Sequence, residues 1–132
     1  MLDCMKSRGI EKTVIKISDS IWFGYRKHQN EESGFIDTSM LSMVFDGYIL
    51  NKEELFNELR KYFDSSFVSS AKIIYTSYME WGVNAFKKLN GIFAIAIWDK
   101  QKKQLILVRD RFGIKSLYYY QNSKKIIFCL GN

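Results

Sequence analysis

Residues 92–98 read Ile-Phe-Ala-Ile-Ala-Ile-Trp, and this stretch decides the fold. The strict alternation predicts a strand with Phe93, Ile95 and Ile97 on one face. The other face carries only alanines between the strand ends. Because small side chains allow a second layer to approach closely, we expect this strand to lie against another sheet.

Outward from this strand, hydrophobic periodicity divides the chain into strands, then helices, then strands again. Strands are predicted at 13–18, 21–25, 41–45, 92–98, 104–108, 116–120 and 125–130, and helices at about 1–8, 52–63, 70–81 and 83–89. This order predicts an α+β fold in which antiparallel sheets stack on each other with helices outside.

Local signals add turns, caps and a loop to this outline. Asp46-Gly47 is typical of a turn that ends a strand. Asn51 is predicted to be the N-cap of the helix that follows, and either Ser69 or Ser70 the N-cap of the next one. Residues 28–39 are rich in Asn, Glu, Ser and Gly and predict a surface loop.

Three consecutive tyrosines, Tyr118 to Tyr120, lie in the predicted strand at 116–120. Aromatic residues are common in strands, and they also form platforms on which nucleic-acid bases stack. We favour packing within the strand over a stacking platform.

The composition indicates one folded domain of 132 residues, with 47% hydrophobic and 16% aromatic residues. Two cysteines, Cys4 and Cys129, form no ligand motif, and a single histidine, His28, argues against a histidine metal site. We therefore expect no metal and no cofactor. Neither a signal peptide nor a membrane-length apolar run is visible, so we expect a cytoplasmic protein without a membrane partner.

The net charge is +6, and lysines cluster at 87–88, 100–103 and 124–125. Each cluster lies at or near a predicted turn, which favours solvated hairpin tips and a helix end. The alternative is an anionic partner such as nucleic acid or an acidic protein face. We do not expect nucleic acid to be the main partner.

The segment RDRFGIKSLYY at residues 109–119 follows LNGIFAIAIWD at residues 89–99. Together they resemble the second half of the class II glutamine amidotransferase domain that opens asparagine synthetases. The resemblance runs from about Met1 to the end of the chain. It implies an Ntn-hydrolase-like αββα fold, with residues 1–132 as one amidotransferase-like domain and no synthetase domain.

The nucleophile of that family is a cysteine directly after the initiator methionine, whose freed α-amine acts as the base. Here Leu2 follows Met1, and residues 1–9 resemble a helix that lies downstream of the nucleophile. We therefore expect a domain truncated at its N-terminus, without the first strand. Cys4 is no substitute, because its amine lies in a peptide bond and nothing nearby activates the thiol.

The resemblance also places four positions in a degenerate glutamine site, with no catalytic residue left. Lys27, or Arg26 after a one-residue slip, stands where an arginine grips the α-carboxylate of glutamine, and lysine lacks the bidentate fork. Asp46 and Gly47 stand where an asparagine amide and a glycine N–H form the oxyanion hole, so a carboxylate replaces a donor. Ser70 stands where an aspartate binds the α-ammonium.

Arg109, Asp110, Arg111, Phe112 and Lys115 keep the family pattern, and the family places this segment toward the synthetase domain. One interpretation is an interface, with Phe112 and Lys115 presented outward. The other is structural: Phe112 in the core, and the two arginines bracing Asp110.

We therefore expect a catalytically inactive domain that docks to, or regulates, a separately encoded ATP-dependent amide-forming synthetase. A missing first strand would also leave an open sheet edge and promote self-association. Three alternatives remain: a fragment of an active glutamine-hydrolysing asparagine synthetase with a misplaced start, a gene remnant without function, and a basic nucleic-acid-binding module.

Overall fold

The structure is a computed structural model, and it describes residues 11–18, 21–27 and 34–130. The predicted helix at 1–8, with Cys4, lies outside the described residues, as does His28.

A four-stranded antiparallel sheet forms the middle of the molecule. Its strands are β3 (Gly34–Asp37), β4 (Leu41–Ile49), β5 (Gly91–Asp99) and β6 (Gln104–Arg109), in the order β3-β4-β5-β6. β4 and β5 are each nine residues long and pair along their whole length, from Leu41 opposite Asp99 to Ile49 opposite Gly91. The two longest described strands are thus the inner strands of this sheet.

Two hairpins contribute the remaining strands. β1 (Glu11–Ser18) pairs with β2 (Ile21–Lys27), and β7 (Leu117–Gln121) pairs with β8 (Ile126–Leu130). Both pairs are antiparallel.

The helices follow β4 and precede β5. They are α1 (Lys52–Glu58), α2 (Ser70–Trp81) and α3 (Ala85–Lys88), with 3-10 turns at Arg60–Tyr62 and Gly82–Asn84. Ser69 is the N-cap of α2, where its side chain accepts a hydrogen bond from the N–H of Lys72, and Gly82 follows its last turn with φ +58°.

The central sheet is apolar on both faces and separates two clusters of buried side chains. Phe93, Ile95 and Ile97 of β5 pack with Leu55 of α1 and with α2 on one face. Ala94 and Ala96 face the other way and pack with residues of β2 and β8, among them Phe23 and Leu130. The described chain therefore forms three layers: helices, central sheet and hairpins.

These layers confirm the α+β class and the two-faced strand around Ala94 and Ala96. Two local predictions were wrong, and a third was right in position only. Asp46 and Gly47 lie inside β4 and not in a turn. Residues Gly34–Asp37 form a strand within the predicted loop, because they complete the sheet beside β4. Asn51 does occupy the N-cap position of α1, but its side chain bonds the backbone of Lys88 and Asn90 instead of the helix.

Tyr118 to Tyr120 lie in strand β7 as predicted, but their side chains are not packed into the core. All three side chains are exposed, by 63%, 65% and 57%. The hairpin is anchored instead by Leu117, Phe128 and Leu130, which belong to the cluster beneath the central sheet.

Candidate functional site

The candidate site begins at Asp46 and Gly47, near the end of β4. Gly47 has φ +126°, and a Cβ built on it would lie 2.1 Å from the carbonyl oxygen of Ile92 on the neighbouring strand. No other residue fits this conformation and this close approach. The geometry of the sheet alone therefore requires glycine at this position.

Asp46 forms an ion pair with Lys115. Lys115 Nζ lies 3.0 Å from Asp46 Oδ1, and the two side chains are only 16% and 12% exposed. The expectation that Lys115 points outward was wrong, because its ammonium pairs with the buried carboxylate of Asp46. An interaction of this kind in a site shielded from water is stronger than on an open surface.

Lys115 reaches Asp46 from a turn that Asp110 organises. The buried carboxylate of Asp110 accepts hydrogen bonds from the N–H groups of Ile114 and Lys115, each at 3.0 Å. The N–H of Asp110 donates to the carbonyl of Phe93 on β5, at 2.8 Å. Asp110 therefore fixes the backbone of residues 110–115 against the central sheet.

The charge of Asp110 is kept by these backbone donors. Burial alone would raise the pKa of its carboxyl, but backbone hydrogen bonds, those of the Ile114 and Lys115 N–H groups foremost, together hold the pKa below its ordinary value. The structural interpretation in which Arg109 and Arg111 brace Asp110 was therefore wrong: backbone N–H groups surround this carboxylate.

Gly113 closes the same turn. Its φ is +66°, its N–H donates to the carbonyl of Asp110 at 3.1 Å, and a Cβ on it would meet the guanidinium of Arg109 at 2.7 Å. Phe112 is consequently turned away from the protein and is 85% exposed. The interpretation of Phe112 as a core residue was wrong, and its exposure agrees with the interface interpretation.

Ser70 and Lys27 lie on other elements. Ser70 is the first residue of α2 and is completely buried, whereas the N-cap is Ser69. Lys27 is the last residue of β2, opposite Glu11. Of the predicted site positions, Asp46 and Gly47 are adjacent, and Lys115 joins them.

This arrangement has a clear chemical consequence. An oxyanion hole needs hydrogen-bond donors aimed at a developing negative charge. The Asp46 carboxylate is an acceptor, and it is paired with the Lys115 ammonium. The position is built to hold a cation, which is here the chain's own ammonium.

Sequence reasoning missed the role of Lys115 at this position. Lys115 was assigned to the interface, because the spacing of 69 residues between it and Asp46 carries no local signal. The available hint was that Asp46 introduces a carboxylate into an apolar strand, since such a group needs a partner.

The residues that the structure describes offer no group of three or more His, Cys, Asp or Glu side chains that could hold a metal ion. Over the same ranges, every helix is too short or too polar to cross a membrane.

Comparison with known proteins supports the resemblance. A family profile for the glutamine amidotransferase domain matches residues 25–129. Asparagine synthetase [glutamine-hydrolyzing] 2 of Bacillus subtilis (strain 168) is 34% identical over 135 residues, which cover 97% of this chain and 18% of the relative. Asparagine synthetase [glutamine-hydrolyzing] 3 of the same organism is 33% identical over 88 residues, covering 66% of this chain and 14% of the relative.

A fungal protein, amidase chry2 of Gibberella zeae, is 30% identical over 118 residues, covering 89% of this chain and 16% of the relative. The chain belongs to the glutamine amidotransferase domain family of the asparagine synthetase type. It spans less than a fifth of the length of these relatives.

Proposed function

We propose that this domain does not hydrolyse glutamine and acts as a docking or regulatory partner of an ATP-dependent amide-forming synthetase. The Asp46–Lys115 pair is the observation that carries the first half. It puts a carboxylate and a bound ammonium at the position where the resemblance implies an oxyanion donor. The loss of one such donor in an active enzyme costs about 3 kcal/mol of transition-state stabilisation.

Other site positions support the same conclusion. Ser70 is neutral where an aspartate would bind the α-ammonium of glutamine, and its hydroxyl is buried at the start of α2. Lys27 carries a charge for the α-carboxylate but lacks the planar fork of arginine. The site therefore lacks its best contacts for both charged groups on the α-carbon of glutamine.

The docking half rests on the turn at residues 110–115. This turn is held rigidly by Asp110, yet it presents Phe112 at 85% exposure beside the exposed Arg111. A rigid, exposed aromatic residue next to an arginine is typical of the anchor of a protein interface. The relatives are full-length synthetases several times longer than this chain, so a synthetase domain is the natural partner.

Co-expression with the synthetase domain of the same organism tests docking. We expect the wild-type chain to co-purify with that domain and Phe112→Ala to lose it, while its thermal melt stays unchanged because the side chain buries little area. Phe67→Ala is the matched control, since Phe67 is 88% exposed in the segment between α1 and α2. Equal retention by Phe112→Ala and Phe67→Ala would refute docking through this turn.

A further inference from the structure

The hairpin of β7 and β8 has an outer face that the core does not use. Leu117, Phe128 and Leu130 point toward the central sheet, and the alternate positions therefore point away from it. On that outer face Tyr118 lies opposite Cys129, and Tyr120 lies opposite Ile127.

The outer face is exposed and mainly aromatic. Tyr118 is 63% exposed, Tyr120 is 57% exposed and Ile127 is 37% exposed. Tyr118 and Tyr120 are two residues apart on one strand, which places their Cα atoms about 7 Å apart and their side chains on the same side. Pairs of aromatic side chains on neighbouring positions of a sheet are what RNA-recognition domains use to stack successive bases.

The chain segment that contains this face carries charges of one sign only. Residues 111–130 contain no aspartate or glutamate. Arg111, Lys124 and Lys125 are all exposed in that segment. The two lysines lie at the hairpin tip, where Asn122 Oδ1 accepts from both of their backbone N–H groups, at 2.8 and 2.9 Å. The turn therefore fixes the backbone of both lysines.

The size of the face favours a narrow ligand over a globular protein. Each strand has five residues and is therefore about 17 Å long, and the two strands lie about 5 Å apart. A stable protein interface needs about 800 Å² from each partner, which this ribbon cannot supply. An extended polyanion with flat apolar groups fits both the dimensions and the charge.

We propose that the outer face of this hairpin binds single-stranded nucleic acid. Bases stack on Tyr118 and Tyr120, and Lys124 and Lys125 neutralise the adjoining phosphates. This surface is separate from the Asp46–Lys115 pair, so the inference does not depend on whether the domain hydrolyses glutamine.

Fluorescence anisotropy with labelled twelve-nucleotide oligothymidylate and oligouridylate tests the proposal on the full chain. At about 50 mM salt we expect saturable binding with a Kd on the order of 10 µM. Tyr118→Ala and Tyr120→Ala should each weaken it about 5- to 150-fold, and the corresponding Phe variants should bind as wild type. Replacing Lys124 and Lys125 together by alanine should lower the slope of log K against log salt by about 1.4.

Tyr119→Ala is the matched control, because Tyr119 is equally exposed but lies on the opposite face of the strand. It should bind as wild type. Thermal melts of all variants show whether they are folded. Absence of binding by folded wild-type protein at 50 µM, or equal losses for Tyr118→Ala and Tyr119→Ala, would overturn the proposal. The proposal would also be overturned if no oligonucleotide bound and Tyr118→Ala failed to co-purify with the synthetase domain. The outer face would then bind a protein.

Discussion

Lys115 Nζ lies 3.0 Å from Asp46 Oδ1, although the two residues are 69 positions apart. The contact joins the turn at residues 110–115 to the inner strand β4. It uses a residue of the segment 109–119, which carries the family resemblance. One ion pair thus links that segment to the central sheet.

Breaking that pair from either side should destabilise the fold. Asp46→Asn and Lys115→Met should each cost about 1–3 kcal/mol, less than the 3–5 kcal/mol of a fully buried pair. The double variant should cost at least 0.5 kcal/mol less than the sum of the two, roughly the lower bound for residues in contact. Urea unfolding of the four proteins measures this coupling.

The pair of Lys61 with Glu80 provides the control, because the Lys61 side chain is 65% exposed. Surface pairs of this kind contribute about 0–1 kcal/mol, so Lys61→Met should change the free energy of unfolding little. If the losses in unfolding free energy caused by Asp46→Asn and Lys115→Met simply added up in the double variant, the ion pair would be contradicted.

Asp110 should make stability depend on acid pH. Its folded-state pKa is lowered, so its contribution is present above the ordinary carboxyl pKa of 3.8 and is lost as the pH falls through the folded value. Asp110→Asn should therefore lower the free energy of unfolding by about 1–3 kcal/mol at pH 7. The difference in unfolding free energy between this variant and wild type should become smaller below about pH 4. Asp64→Asn, at an exposed position, should follow wild type throughout. If the difference in unfolding free energy stayed constant down to pH 2, the charge of Asp110 would contribute nothing to stability.

Tyr78 should make the stability of the fold fall as the pH rises into the alkaline range. Burial, and then the hydrogen bond that its hydroxyl donates to Asp99 Oδ2 at 2.8 Å, raise its pKa to about 12. Because the folded value lies above the unfolded one, the contribution is complete below pH 10 and is lost as the pH rises toward 12. Tyr78→Phe should cost about 1–3 kcal/mol at pH 7. In an ultraviolet titration it should also remove the last tyrosine step, and an unchanged curve would refute the assignment.

Much of this fold was predictable because the controlling signals are local. The alternation of Phe93, Ala94 and Ile95 defines both faces of β5, and the cap at Ser69 defines the start of α2. The predictions failed where tertiary contacts decide. Asp46-Gly47 has the composition of a turn, but pairing with β5 extends the strand through it. The partner of Asp46 could not be read from the sequence, since the fold alone brings Lys115 to it.

Gly47 should be needed for the fold independently of any chemistry. Gly47→Ala introduces a Cβ 2.1 Å from the carbonyl oxygen of Ile92 at φ +126°, so a loss of more than about 3 kcal/mol is expected. Gly82→Ala is the matched control: its φ is +58° and its ψ −140°, nothing lies within 4 Å of the new Cβ, and only a backbone strain of about 1–3 kcal/mol applies. Similar melting temperatures for the two variants would contradict the close approach at Gly47.

Glutamine hydrolysis is the most direct test of the central claim, that the Asp46–Lys115 pair occupies a site unable to support it. Glutamate and ammonia release should be measured on the gene product purified from its own cells, with its N-terminal residue identified by mass spectrometry. We predict no release above the rate without protein, for wild type and for Lys115→Met alike. Glutamine turnover by the wild-type protein would contradict the account, and a lower rate in Asp46→Asn would show in addition that Asp46 takes part in catalysis.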